Sequence, residues 1–171
     1  MPRAPAHPAA LDDAALLAQC QVRRGRASGP GGQHRNKVET AVHLHHQPTG
    51  LEAAASERRS QAQNQAMALR RLRLALAIEH RGGRPASPTD LWRSRVAGGR
   101  IAVNVNHRDY PALLAEAMDW IVALDHDMRR AGDVLDTSPS QLVKLLAKTP
   151  AALAALNRAR AARGLHKLRG N

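Results

Sequence analysis

The chain has 171 residues, enough for one domain or two small ones and one real core, and too few for a large multidomain machine. Its 26 Lys and Arg against 14 Asp and Glu give +12, with 22 of the cations Arg, so a polyanion is the natural partner. An apolar share of 43% excludes a disordered basic tail, while the aromatic share of 2% argues against base-stacking readers of single strands. The single Cys20 excludes an internal disulfide and a Cys-based zinc cluster, which points to a reducing, cytoplasmic setting.

Residues 1–13 carry three Pro, one Arg and no apolar run before Asp12-Asp13, and read as a loose leader rather than a secretory signal. Ala14, Leu17 and Cys20 then recur at helical spacing behind the acidic pair, which predicts a short helix. From Val22 the chain reads as a basic loop through Gly29-Pro30-Gly31-Gly32, where regular structure must stop. Ala41 to His46, the turn residues Gln47-Pro48-Thr49-Gly50, and Leu51 to Ala55 predict strand, turn and strand.

From Glu57 to about His80, Ala62, Ala66, Leu69, Leu72 and Leu76 recur at spacings of three and four, a long amphipathic helix. Residues 81–88 are rich in Gly and Pro and read as a linker, dividing residues 14–80 from a basic helical domain over 89–171. Ile101, Val103 and Val105 alternate with polar or small residues, a strand-like pattern without a visible partner. Asp109-Pro111 opens a helix whose face would run Leu114, Ala117, Ile121, Leu124 and Met128. Met128 to Leu135 and Pro139 to Lys148 read as two short helices around a corner, similar to a helix-turn-helix but better explained as plain packing. A last helix starts at Thr149-Pro150 and ends at Gly164.

The chemistry-bearing segment runs from Arg26 to Val42. It presents one carboxamide, Gln33, on a glycine-rich tip among Arg23, Arg24, Arg26, Arg35 and Lys37, with Glu39 the one acid close by. Five cations there suit phosphates. A carboxamide is no general base at neutral pH, but it donates and accepts hydrogen bonds and so can orient water. Adjacent glycines let the backbone enter narrow spaces and leave the Gln33 N–H free to face an oxyanion. On spacing alone this is equally a phosphate-binding turn without catalysis.

Gly31-Gly32-Gln33, with Ser28, Gly29, His34, Asn36, Lys37, Glu39, Ala41 and Val42, then Pro48-Thr49-Gly50, Arg59-Ser60-Gln61, Asn64, Ala68 and Leu69, resembles the catalytic domain of class I peptide chain release factors and the stalled-ribosome rescue hydrolases related to them. The resemblance covers about residues 14 to 78. It implies an α+β fold, a small mixed β-sheet with packed helices bearing the GGQ loop, here followed by a small all-α module. It implies ribosome-dependent hydrolysis of the ester in P-site peptidyl-tRNA by a monomer without cofactor or metal. Gly31, Gly32 and Gln33 would be catalytic, the Gln33 N–H stabilising the oxyanion and its side chain placing or excluding water. Arg35, Lys37 and the other cations would grip large-subunit RNA, and Arg58 and Arg59 join that set.

Pro30, Arg35, Val38 and Arg58 depart from the family's usual residues, without touching Gly31-Gly32-Gln33. The short stretch before the loop speaks against codon reading on that side, so the rescue hydrolases are the better comparison. Their basic tails enter the empty mRNA channel, whereas residues 89–171 are patterned as a folded module. Arg158, Arg160, Arg163, Lys167 and Arg169, with no acid after Asp136, are the module's candidate RNA-binding set. His43, His45 and His46 read as surface strand residues rather than metal ligands, since no Cys or acid completes a site. The competing expectation is a ribosome- or RNA-binding protein that cleaves nothing.

Overall fold

The computed structural model describes residues 6–26, 40–83 and 86–170. The chain divides into two compact units, one of Leu11–Leu76 and one of Ala77–Asn171 joined by Met1–Ala10.

The first unit starts with α1 (Asp13–Ala18), whose first turn is capped by the Asp12 carboxylate accepting from the Ala15 N–H at 2.8 Å. An antiparallel sheet follows, built from β1 (Cys20–Gly25), β2 (Ala41–His46) and β3 (Glu52–Ala55) in that order. The unit closes with α2 (Gln61–Glu79), which continues past Leu76 by three residues. Its buried apolar residues are Leu16 of α1, Ala41, Val42 and Leu44 of β2, Ala55 of β3, and Ala68, Leu69, Leu72 and Leu76 of α2.

The expected α+β class is what the structure shows, but the sheet is antiparallel in both pairings rather than mixed. β1 itself lies where the sequence suggested a loop. Gln21, Val22, Arg23 and Arg24 are all exposed on this edge strand, so it lacks the alternation that marks a half-buried strand. Its order comes from six ladder partners on β2, from Cys20 opposite His46 to Gly25 opposite Ala41.

A second correction concerns α2. Ala62 and Ala66, expected on its apolar stripe, are exposed, and the buried row is Asn64, Ala68, Leu72 and Leu76 at a strict spacing of four. A hydropathy count passes over Asn64 because its side chain is polar. His46 is likewise not a surface residue: its ring is buried, with Nδ1 2.7 Å from Thr49 Oγ1 and Nε2 2.8 Å from Gln19 Oε1. Both ring nitrogens being satisfied, burial carries no orphan penalty.

The second unit is built on α4 (Tyr110–Ala123), in which every residue from Tyr110 to Ile121 is buried. Around it in sequence stand α3 (Asp90–Arg95), the hairpin β4 (Val96–Ala97) and β5 (Arg100–Ile101), then α5 (Met128–Val134), α6 (Pro139–Ala147) and α7 (Pro150–Ala161). Two aromatic side chains tie these pieces by their polar ends. Trp92 Nε1 donates to Leu135 O at 2.9 Å, and Tyr110 OH donates to Leu145 O at 3.1 Å beside Thr149 Oγ1.

The strand expected over Ile101 to Val105 stops at Ile101, paired with Val96. Gly98 and Gly99 have φ of 54° and 72°, the positive values that a tight two-residue hairpin demands of both central residues. Beyond Ile101 the Asn104 side chain accepts from the Asn106 N–H at 2.8 Å, which turns the chain away from the ladder. The helix expected to reach Met128 ends at Ala123, because Asp125 and His126 take φ of 55° and 63° and Asp127 then caps α5. The leader is also less loose than expected: Pro8–Ala10 form one 3-10 turn with Ala9 buried.

The segment read as a linker is fixed at both ends to α4. Asp119 accepts from Arg81 Nη1 at 2.9 Å and from the Gly82 N–H at 3.2 Å. Glu116 accepts from the Thr89 N–H at 2.7 Å and from its hydroxyl at 2.5 Å. Both carboxylates are buried, which places the Gly- and Pro-rich stretch under the control of one helix face.

Candidate functional site

Gly31, Gly32 and Gln33, together with Arg35 and Lys37, lie outside the described residues. What the structure gives is the frame on which that segment is mounted. Gly25 at the end of β1 and Ala41 at the start of β2 are direct ladder partners, so the chain leaves and re-enters the sheet at a single rung. Opposed residues of an antiparallel pair stand about 5 Å apart, so Gly25 and Ala41 stand side by side at one end of the sheet.

Re-entry is fixed by a side chain. Asn64, in the first turn of α2, donates from Nδ2 to Thr40 O at 2.7 Å and to Arg58 O at 2.9 Å, and its Oδ1 accepts from the Arg58 N–H at 2.9 Å. This carboxamide therefore brings the stretch before α2, with Arg58 and Arg59, against the residue that ends the loop segment. Sequence reasoning noted Asn64 only within the resemblance; its place four residues before Ala68 was the available signal.

Arg23, Arg24 and Arg26 are exposed on β1 and just beyond it, and Arg58 and Arg59 are exposed before α2. Arg23 donates to Gln21 Oε1 at 3.2 Å, and none of the five forms an ion pair among the described residues. The nearest acid in sequence, Glu57, is already matched by Arg71, whose hydrogen bond is the largest of the effects holding the Glu57 carboxyl down at about 2. Among the described residues, then, no acid neutralises these five arginines.

His43 is exposed and His45 half-buried on the sheet face that also carries Arg23, and among the described residues no third ligand joins them into a metal-binding group.

The C-terminal set divides. Arg158, Arg163, Lys167 and Arg169 are exposed, but Arg160 is buried and was misassigned to the RNA-binding surface. Its Nη1 donates to His126 O at 2.7 Å and its Nε to His166 O at 3.0 Å. The guanidinium is spent on holding the α4–α5 turn and the chain after α7, where carbonyls replace its water. Asn157 does the same further along, exchanging two hydrogen bonds with the main chain of Leu168 at 2.8 and 2.9 Å. Residues 162–170 consequently run back along α7 as a strap. Among the described residues, no helix is long and apolar enough to cross a membrane.

The RF-1 domain pattern matches residues 17–108, more than half of the 171. The chain belongs to the RF-1 domain family. It is 38% identical over 86 residues to peptide chain release factor 1 of Mycoplasma genitalium. Identity is 40% over 86 residues to the proteins of that name in Acidiphilium cryptum and Chlorobaculum tepidum. Each alignment covers 50% of this chain and 24% of the relative. The chain spans about a quarter of the length of the curated relatives it matches. The RF-1 domain match takes in α1 from Leu17 onward, the whole sheet, α2 and the stretch through β5, and leaves α4 to α7 outside it.

Proposed function

We propose that this chain hydrolyses the ester of peptidyl-tRNA on the ribosome and frees the nascent chain without reading a stop codon, as in rescue of stalled complexes. The observation that carries the reading is the single rung Gly25–Ala41, between whose two residues a chain of the RF-1 domain family carries Gly31-Gly32-Gln33, with Arg23, Arg24 and Arg26 exposed on and just beyond β1 and Arg58 and Arg59 exposed before α2.

In this reading the cations dock on large-subunit RNA and the tip reaches the ester joining the peptide to the terminal ribose. Water adds to the carbonyl carbon, and the oxyanion that forms accepts a hydrogen bond from the Gln33 N–H. The carbon–oxygen bond to the ribose then breaks, the ribose oxygen takes a proton, and the peptide leaves as a carboxylic acid. The Gln33 side chain places the water by donating and accepting hydrogen bonds. Exposed Arg158, Arg163, Lys167 and Arg169 supply a second RNA contact, for which the mRNA channel of the small subunit is the proposed location.

The test is peptide release from P-site tRNA on ribosomes whose mRNA extends to different lengths past the P site. Release from ribosomes with no codon in the A site, lost in Gln33→Ala and Gly32→Ala with folding intact, is the expected result. Binding that falls steeply with salt but cleaves no ester would replace this reading with a non-catalytic ribosome-binding role.

A further inference from the structure

Asn64 is wholly buried, and its side-chain hydrogen bonds go to main chain at Thr40 and Arg58. Both carbonyls can only accept and the Arg58 N–H can only donate, so the partners dictate which end of the amide is which. A carboxamide meets this demand: Asp would offer no donor to two carbonyls, and Leu would leave three polar groups unpaired. An apolar residue would continue the row of Ala68, Leu72 and Leu76 below it but would join neither segment to α2. A buried polar side chain with all its bonds aimed at two chain segments suggests that their relative placement is what matters.

Those segments are the ones the release reading needs. Thr40 is the residue through which the chain carrying Gly31-Gly32-Gln33 returns to β2, and Arg58 opens the basic pair at the same end of the sheet. The ladder fixes Ala41 against Gly25. The bond from Asn64 to Thr40 O adds a second fixed point one residue earlier.

We propose that Asn64 is a positioning residue for ester hydrolysis: by holding Thr40 O it fixes the point at which the glutamine-bearing segment rejoins the sheet, and through Arg58 it fixes the cation pair relative to that point. The inference rests on the release reading. Reacting groups misplaced by about 1 Å cost on the order of a hundredfold in rate, so the loss belongs in kcat while docking through the exposed arginines persists.

The experiment is a double-mutant cycle on the full chain, measuring peptide release on stalled ribosomes for wild type, Asn64→Ala, Gln33→Ala and the double variant, with each rate normalised to ribosome-bound, folded protein. The expected result is a fall in kcat of roughly ten- to a hundredfold for Asn64→Ala with KM within about threefold of wild type. In the Gln33→Ala background the same substitution should then cost little of the slow residual release, followed at long times, since the side chain it serves is gone. Equal fold losses in both backgrounds, a loss confined to KM, or no loss at all would each overturn the proposal. Should Asn64→Ala lose its native circular dichroism at the assay temperature, Asn64→Asp takes its place in the cycle, because a carboxylate fills the same space and still accepts from the Arg58 N–H but offers Thr40 O no donor. A wild-type chain that binds ribosomes and releases nothing would instead remove the release reading itself, an outcome visible before any variant is compared.

Discussion

Asp119 and Glu116 sit one turn apart on α4 and hold opposite ends of a single segment, Asp119 at Arg81 and Gly82, Glu116 at Thr89. At Gly82 the approach is close: a Cβ there would stand 2.8 Å from His7 Cδ2 and 3.0 Å from Asp119 Oδ2. His7 in turn reaches His80 O at 3.2 Å through Nε2. Two groups with opposite titration behaviour therefore meet across one glycine.

Burial pushes the Asp119 carboxyl from 3.8 up to about 6, against the pull of Arg81. The folded chain keeps a proton that the unfolded chain gives up, so this group makes stability fall as pH rises from about 4 to 6. Burial pushes His7 the other way, from 6.5 down to about 4. There the unfolded chain holds the proton, and stability rises over the same window. Raised Glu116 adds to the first trend and lowered His80 to the second. Each main contribution is on the order of 3 kcal/mol, so they largely cancel. Urea unfolding at pH of about 4, 5 and 6 should give a shallow profile for wild type, one that climbs with pH for Asp119→Asn and one that declines for His7→Ala. Parallel profiles for all three would show that the two groups do not titrate as described.

At the corner between α5 and α6, Gly132 faces the Thr137 carbonyl, and a Cβ would lie 2.7 Å from that oxygen. The Thr137 N–H also bonds to Gly132 O at 2.9 Å, so the two chains cannot part cheaply. Gly132→Ala should cost about 1–3 kcal/mol, read as a lower urea midpoint with an unchanged slope.

Arg160 and Arg158 stand two residues apart on α7 with opposite duties. Arg160→Ala leaves His126 O and His166 O without their donor and should destabilise the chain by about 2–3 kcal/mol. Arg158→Ala, at an exposed position, should shift stability by less than about 0.5 kcal/mol. In a salt titration of ribosome binding, Arg158→Ala should flatten the slope of log affinity against log salt by about one unit. An unchanged slope would take Arg158 out of the RNA-contacting set.

His46 bridges Gln19 and Thr49 from inside the first unit. His46→Leu strands both partners and should lower stability by about 1–3 kcal/mol, seen in thermal unfolding. A neutral result would mean that Gln19 and Thr49 find water in the variant.

By itself the sequence determined the β2 strand from Ala41 to His46, the helices carried by regular apolar spacing, the corner between Met128 and Lys148, and membership of the RF-1 domain family through Gly31-Gly32-Gln33 and the blocks that follow it. Those features are local, written in residues close together in the chain, where periodicity and turn chemistry act directly. The tertiary structure decided what depends on partners far along the chain. β1 is a strand because β2 supplies its ladder, although four of its six residues, Gln21 to Arg24, are exposed. Asn64 is interior because Thr40, 24 residues away, and Arg58 satisfy its amide. Arg160 left the basic surface because carbonyls from two other segments converge on it. A polar side chain is equally at home in water or against a matched partner, and only the fold says which of the two it meets.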